Sequence, residues 1–423
     1  MTGLFEDLRW RGLVHQVTDS EALPKLLEQD HLTAYIGFDP TAASLHVGSL
    51  LQICNLRRLQ AAGHRPLALV GGGTGMIGDP SGKSDERTLL TPAQLEENRS
   101  AIAAQLGRFL DFGAGGALMV DNAEWLATVP LLEFLRDVGK LFGVNEMVRK
   151  ESVRLRLEQR EQGISYTEFS YMLLQAWDFL QLYDRYGCRL QLGGSDQWGN
   201  ITEGVDLIRR RREVQAFGLT SPLVVKADGS KFGKTESGNV WLDPACTSPY
   251  EFFQFWLRTA DSDVGTYLRF FTFLDRPAIQ DLDAETSDHP ERREAQRVLA
   301  RDVTTLVHGA EEAARAERAA SVLFTDEVAS LDAATLAAGL ADAPATSISS
   351  AELASGLTLV ELLVRTGLAA SKGEARRQIE GGGVYLNNHR QPEDRSLGRG
   401  DALHGRFVML RRGKRQHVLL IEP

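Results

Sequence analysis

Two spacings of apolar residues divide the chain. Short continuous apolar runs at 32–38 and 66–70 predict buried strands, while 47–62, with Leu50, Ile53, Cys54, Leu56 and Leu59 as its apolar positions, predicts a helix that Gly63 ends. Asp39, Pro40 and Thr41 form a turn after the first strand, and a glycine-rich turn over 71–82 follows the second. Thr91-Pro92-Ala93-Gln94 is a capped start for another helix. Strand, helix, strand, helix at this spacing implies a parallel sheet with crossovers, whose ligands sit beyond the carboxyl ends of the strands. Further along, 167–186 reads as a helix with a wide apolar face, 189–192 as a short strand and 197 onward as helix again.

The expected fold class is therefore α/β, with a Rossmann-like parallel-sheet domain over 1–225. A region over 226–328 follows, opening with a loop at 226–238 and then mostly helical. The stretch 329–352, rich in Ala, Ser and Asp with few large apolar groups, reads as a linker. A small α+β domain occupies 353–423, where Ser371-Lys-Gly-Glu374 opens a short helix that 381–383 closes before a strand-like 384–386.

Composition narrows the class of protein. With 43% hydrophobic and 25% charged residues in 423, the chain reads as a soluble globule with no run of membrane-span length. Its first ten residues contain neither a secretory apolar stretch nor an Arg-rich pattern, which predicts a cytoplasmic address. Cys54, Cys188 and Cys246 lie too far apart for a disulfide framework or a zinc spacing and are expected to be buried, reduced thiols. Forty-seven basic against fifty-seven acidic residues give −10, which argues against a nucleic-acid binder. The charge is uneven, however: 356–423 holds twelve Lys/Arg and seven Asp/Glu, a local +5. A basic carboxy-terminal module on an acidic body suits a protein that must bring one domain to a phosphate backbone.

Four segments carry candidate chemistry. Gly73-Thr-Gly75-Met-Ile-Gly78 matches a dinucleotide fingerprint, but Asp79-Pro80-Ser81-Gly82 prolongs the turn where the fingerprint helix should start. Gly82-Lys83-Ser84 ends like a P-loop, yet Ile77 stands where its first glycine belongs. What remains is exposed backbone with Lys83 and Arg87 able to approach phosphates. Next, His46 precedes a helix start with Val47, Gly48 and Ser49, where imidazole and free N–H groups can stabilise phosphate charge and Gly48 lets a flat base approach; the plainer reading is a structural cap. Gly229 to Thr235 places Lys231 and Lys234 three apart among small residues, either a clamp for a triphosphate or a solvated basic loop. Finally, Tyr171, Gln175 and Asp178 share one helix face, and a carboxylate committed to an apolar helix needs a phenol or amine partner.

Taken together, these residues resemble the bacterial tyrosyl-tRNA synthetases, a class I aminoacyl-tRNA synthetase family, over nearly the whole chain. The HIGH and KMSKS motifs of that class correspond to His46-Val-Gly-Ser49 and Lys231-Phe-Gly-Lys-Thr235. The tyrosine-specific parts correspond to Tyr35-Ile-Gly-Phe-Asp-Pro-Thr41, Gly78-Asp-Pro-Ser-Gly82, Tyr171 with Gln175 and Asp178, and Gly193-Gly-Ser-Asp-Gln-Trp-Gly-Asn200. The resemblance implies that Tyr35 and Asp178 hold a substrate phenol, that Asp79, Tyr171 and Gln175 receive its ammonium group, and that Gln197 lies beside them. It implies ATP contacts at Gly37, Asp39, His46, Gly48, Ser49, Asp196, Lys231 and Lys234. Thr41, His46, Lys83, Arg87, Lys231, Lys234 and Thr235 would grip the phosphates during catalysis. Two departures stand out: the final His of HIGH is Ser49, and KFGKT replaces KMSKS while keeping both lysines.

The same resemblance implies the rest of the biology. L-Tyrosine and ATP would form tyrosyl-adenylate and pyrophosphate, and tyrosine would pass to the 3′ end of tRNA(Tyr). Mg²⁺ would arrive through ATP, with no metal site on the protein, no membrane and no DNA partner. The helical region from 240 to 328 would take part in anticodon recognition. The segment 359–387, with Lys372, Arg376 and Arg377, resembles a small RNA-binding domain shared with a ribosomal protein, and 134–147 resembles a homodimer interface. The rivals are the tryptophanyl enzyme, which shares fold and class motifs, and a non-catalytic RNA-binding relative.

Overall fold

Strands β1 (Gln16–Val17), β2 (Thr33–Phe38), β3 (Arg65–Val70), β4 (Leu118–Asp121), β5 (Cys188–Gly194) and β6 (Phe217–Ser221) form one sheet in the order β1-β6-β5-β2-β3-β4. β2 to β6 run parallel, and only the short β1 is antiparallel, to β6. β2 lies between β3 and β5, so successive crossovers leave it in opposite directions and open a crevice at its carboxyl end. The computed structural model that gives this arrangement describes the chain apart from residues 1–2, 80, 82–89, 151–152, 155–156, 159–162, 230–231, 236–237, 324, 326, 341–342, 414 and 423.

The helix expected at 47–62 spans Val47–Ala61 and buries Leu50, Ile53, Cys54, Leu56 and Leu59. The one expected at 167–186 spans Tyr166–Tyr186, capped by Ser165 and ended by Gly187 at φ +64°, a left-handed position that glycine takes without strain. Around the Tyr166–Tyr186 helix, Phe179, Leu180 and Leu182 pack with Tyr35, Leu67 and Val120 of the sheet.

The chain divides into two compact units: Met1–Cys246 with Thr259–Ala295, and Thr247–Arg258 with Gln296–Pro423. The first therefore extends beyond 225, and the helical region expected at 226–328 is shared between the two. Arginine chemistry accounts for part of this. The carbonyls at the end of the Asp261–Phe271 helix have no partners within it. Arg58, buried in the Val47–Ala61 helix, donates to the carbonyls of Arg269, Phe270 and Thr272 at 3.2, 2.9 and 2.9 Å, and Arg11 reaches the Leu274 carbonyl at 2.7 Å. A hairpin of β7 (Lys234–Thr235) and β8 (Gly238–Asn239) also belongs to this unit.

In the second unit, β9 (Ala345–Ser349), β10 (Val384–Leu386), β11 (His389–Arg390), β12 (Phe407–Arg412) and β13 (Arg415–Glu422) pair in the order β11-β10-β12-β13-β9. This corrects the linker expectation for 329–352. Ala333–Leu340 is helical and β9 pairs in parallel with β13. Leu336 and Leu340 pack with Leu323, Val328, Phe407 and Met409, while Ile348 is buried in its own cluster with Leu419. Alanine contributes little buried area itself but lets helices approach closely, so a few leucines at helical spacing suffice. Cys54 and Cys188 are buried, but Cys246 is exposed, contrary to expectation. Among the described residues, no helix is long and apolar enough to cross a membrane.

Candidate active site

A cavity of about 590 Å³ lies at the carboxyl ends of the central strands. Turns leaving β2, β3 and β5 supply Asp39, Thr41, Asp79, Asp196 and Gln197, and β2 itself supplies Tyr35 and Gly37. The Tyr166–Tyr186 helix adds Tyr171, Gln175 and Asp178, one face at spacings of four and three. His46, Gly48 and Ser49 line it from the start of the Val47–Ala61 helix, and Lys234 from β7. Lys83, Arg87 and Lys231 lie outside the described residues, and Thr235 is placed through its backbone in β7.

At the inner end, Asp178 is 1% exposed. Its Oδ1 accepts from Trp125 Nε1 at 2.7 Å and its Oδ2 from Asn122 Nδ2 at 2.9 Å. Burial pushes this carboxyl up to about 8 against those two hydrogen bonds, and the charges of Asp39 and Asp121 add to the rise. In the same pocket, the Tyr35 hydroxyl is buried and finds no hydrogen-bond partner among the described residues. Burial, followed by the nearby Asp178 charge, holds that phenol well above its ordinary value.

Hydrogen bonds tie the remaining polar groups together. Asn122 also donates to Thr74 Oγ1 at 2.9 Å and accepts from the Gly73 N–H at 2.8 Å. Thr74 and Tyr171 each donate to Asp39, both at 2.8 Å. A second chain runs from Asn200 Nδ2 to Gln175 Oε1 at 2.8 Å, from Gln175 Nε2 to Gln197 Oε1 at 3.2 Å, and from Gln197 Nε2 to Asp79 Oδ2 at 2.7 Å. Asn122, Trp125 and Thr74 escaped the sequence reading. The usable signal was the apolar run before Asp121 and Asn122, which marks one more strand end in a parallel sheet.

At the outer end, the Gly48 N–H donates to His46 Nδ1 at 3.0 Å, which leaves the ring proton for Nε2. Any side chain on Gly48 would collide with that ring, since a Cβ there stands 2.7 Å from His46 Cε1. Val47 N–H donates to the Val240 carbonyl at 3.0 Å and Leu242 N–H to the Leu45 carbonyl at 2.8 Å, so the chain leaving β8 is zipped to the chain entering the His46-capped helix.

In the second unit, Lys372, Arg376 and Arg377 are exposed on the Lys372–Glu380 helix. Lys372 Nζ lies 3.1 Å from Glu361 Oε1.

The Asp178 carboxyl carries a prediction for stability. Its unfolded value is about 4, so between pH 4 and pH 8 the folded chain binds the extra proton and loses stability as pH rises. Asp178→Asn removes this titration. Its melting temperature, relative to the parent, is expected to stand at least about 3 °C higher at pH 8 than at pH 5, read by calorimetry. A pH-independent difference would contradict the raised carboxyl.

Known proteins place this arrangement. The family model described as tRNA synthetases class I (W and Y) matches residues 27–325, and that of the tyrosine–tRNA ligase SYY-like C-terminal domain matches residues 335–420. The chain is 53% identical over 424 residues to a tyrosine–tRNA ligase of Roseiflexus castenholzii, covering 99% of each. To that of Geobacillus stearothermophilus it is 52% identical over 421 residues, again covering 99% of each. Among solved structures, a C-terminally truncated mitochondrial tyrosyl-tRNA synthetase of Aspergillus nidulans aligns with a TM-score of 0.69 and 32% identity, over 77% of this chain and 95% of that one. With both family models matched and this identity sustained from end to end, the chain belongs to the tyrosine–tRNA ligases of the class I synthetase family.

Proposed function

We infer that the chain acts as a tyrosine–tRNA ligase, joining L-tyrosine to ATP as tyrosyl-adenylate with release of pyrophosphate, then passing tyrosine to the 3′ end of tRNA(Tyr). The observation that carries the substrate is the Tyr35 hydroxyl, buried without a partner among the described residues in the same cavity as Asp178. A substrate phenol both donates and accepts, so it satisfies the Asp178 carboxyl and Tyr35 together. Phenylalanine leaves the Tyr35 hydroxyl unpaired and gives Asp178 no partner beyond Trp125 and Asn122, and an indole N–H, which only donates, leaves the Tyr35 hydroxyl without an acceptor.

The substrate ammonium then lies toward Asp79, the Tyr171 hydroxyl oxygen and the Gln175 carbonyl, with Gln197 holding Asp79 in place. Gly37, Asp39, Gly48, Ser49 and Asp196 bound the adenosine region. Ser49 can hydrogen-bond a ribose but carries no charge. The substrate carboxylate is ionised at neutral pH, so its oxygen attacks the α-phosphorus without a general base while the bond to the bridging β-oxygen breaks. Negative charge grows on the leaving pyrophosphate, and Thr41, His46, Lys83, Arg87, Lys231, Lys234 and Thr235 supply donors and cations there. Asp39 and Asp79 already accept hydrogen bonds from Tyr171, Thr74 and Gln197, a donor set that fits Mg²⁺ carried by phosphate oxygens and water. That ion neutralises part of the phosphate charge when bound. In the second step a ribose hydroxyl of the tRNA attacks the tyrosyl carbonyl and AMP leaves.

We also place this activity in the cytoplasm and in a homodimer. Leu131, Leu132 and Val144 are 70%, 80% and 62% exposed, an apolar surface that a second copy would cover.

Pyrophosphate exchange with tyrosine, phenylalanine and tryptophan in parallel tests the substrate. Exchange with tyrosine alone is expected, and exchange driven by tryptophan or by neither would overturn the reading. For tRNA, the charges on Lys372, Arg376 and Arg377 support backbone contact. Alanine at all three is expected to lower charging about tenfold at physiological salt and flatten its salt dependence, leaving pyrophosphate exchange near parental. Substitution is preferable to truncation, because Phe407, Met409 and Val418 complete a core with Tyr250 and Leu336. Equal charging by the triple variant removes this helix from the tRNA surface.

A further inference from the structure

Phe232 separates the lysine-motif residues Lys231 and Gly233, and its own ring is 6% exposed. It packs on two aromatic rings of the Asp261–Phe271 helix. The Phe232 and Phe271 centroids lie 5.5 Å apart with planes at 16°, and those of Phe232 and Tyr267 lie 5.1 Å apart at 63°. The same helix grips the chain just before the motif. Tyr267 donates its hydroxyl to the Val225 carbonyl at 3.3 Å, and the Ala227 N–H donates to Asp263 Oδ1 at 2.8 Å. Immediately after the anchored ring, Gly233 turns at φ +78°, where a Cβ would stand 2.8 Å from Val47 Cγ2. The chain thus runs between an aromatic socket on one side and the first residue of the His46-capped helix on the other. The carboxyl end of the socket helix, which carries Phe271, is fixed by Arg58, which belongs to that same Val47–Ala61 helix.

We propose that Phe232 is a positioning residue for adenylate formation: its ring, seated on Tyr267 and Phe271, sets the lysine motif in register with the His46 end of the cleft. This rests on reading the cleft as the ATP site. No side-chain group on Phe232 can donate to a phosphate, so its ring acts through the neighbouring Lys234. Preorganising that cation before pyrophosphate departs lowers the barrier of that step without altering the tyrosine pocket.

The test compares Phe232→Ala, Phe232→Met and Tyr267→Phe in the full-length protein. Phe232→Ala is expected to lower kcat for tyrosine-dependent pyrophosphate exchange about tenfold to a hundredfold, with KM for tyrosine within about twofold of the parent. Transfer of tyrosine to tRNA from preformed adenylate should stay at the parental rate, since pyrophosphate has already left. Methionine, which fills the socket without an aromatic ring, should restore most of kcat. Tyr267→Phe keeps the ring, loses the tie to Val225 and should lower kcat about threefold, which holds the inference testable if the alanine variant does not fold. Parental kcat in Phe232→Ala, a loss appearing equally in tyrosine KM, or methionine no better than alanine would each overturn the anchor. A parent chain with no tyrosine-dependent exchange would instead overturn the reading of the cleft.

Discussion

Alanine at position 178 is expected to lower tyrosine-dependent pyrophosphate exchange about a hundredfold to a thousandfold while leaving ATP binding close to parental. The substrate hydroxyl loses a hydrogen bond to an acidic group, worth about 1.5–3 kcal/mol, and is left buried without an acceptor at a further cost of about 1–3 kcal/mol. Together these correspond to about two to four powers of ten in rate, and rearrangement into the space left by the carboxyl returns part of the loss. The loss stays local, because Asp178 sits at the inner end of the cavity whereas His46 and Lys234 line its outer part. Trp125 and Asn122 lose their shared acceptor too, so a melting measurement should accompany the kinetics. Exchange at the parental rate in a folded variant would remove the assignment of the phenol site.

Lys234→Ala is expected to act on the other substrate. Its ammonium is exposed on β7 at the lip of the cleft, suited to charge that appears only as pyrophosphate leaves. Removing one such preorganised donor typically costs about a hundredfold to a thousandfold in kcat, and KM for tyrosine should hardly move. Rapid-quench measurement of adenylate formation separates this from slow product release. An undiminished rate would take Lys234 out of the phosphate clamp.

Much of this site was legible because its residues stand at the ends of elements that periodicity reveals. The run at 32–38 predicts a strand, so Asp39 and Thr41 fall at its carboxyl end, and the apolar face of 167–186 places Tyr171, Gln175 and Asp178 on one line. What escaped depends on contacts distant in sequence. Asn122 holds Asp178 across 56 residues and Thr74 across 48. It follows β4, whose short run marks a strand end but not the residues that end will meet. The first compact unit runs past 225 for a similar reason. Arg58 and Arg11 satisfy carbonyls more than 200 residues away, and nothing in the local spacing of either arginine announces that partnership. At 329–352 the pattern was present but written in alanine, whose burial changes composition little.

The pairing of Arg11 with the carbonyls of residues 269 and 274 spans 258 and 263 positions. A ribosome makes one member of this closure almost at once and the others only after most of the first unit has emerged, along with the segment Thr247–Arg258 that belongs to the second. Nascent chains stopped short of residue 269 therefore carry the Arg58 guanidinium, and the part of Arg11 that Asp7 does not engage, without the carbonyls that receive them in the folded unit. Translation products broken off there are expected to be degraded faster than the finished chain, because the closure of the first unit waits for the carbonyls of residues 269–274.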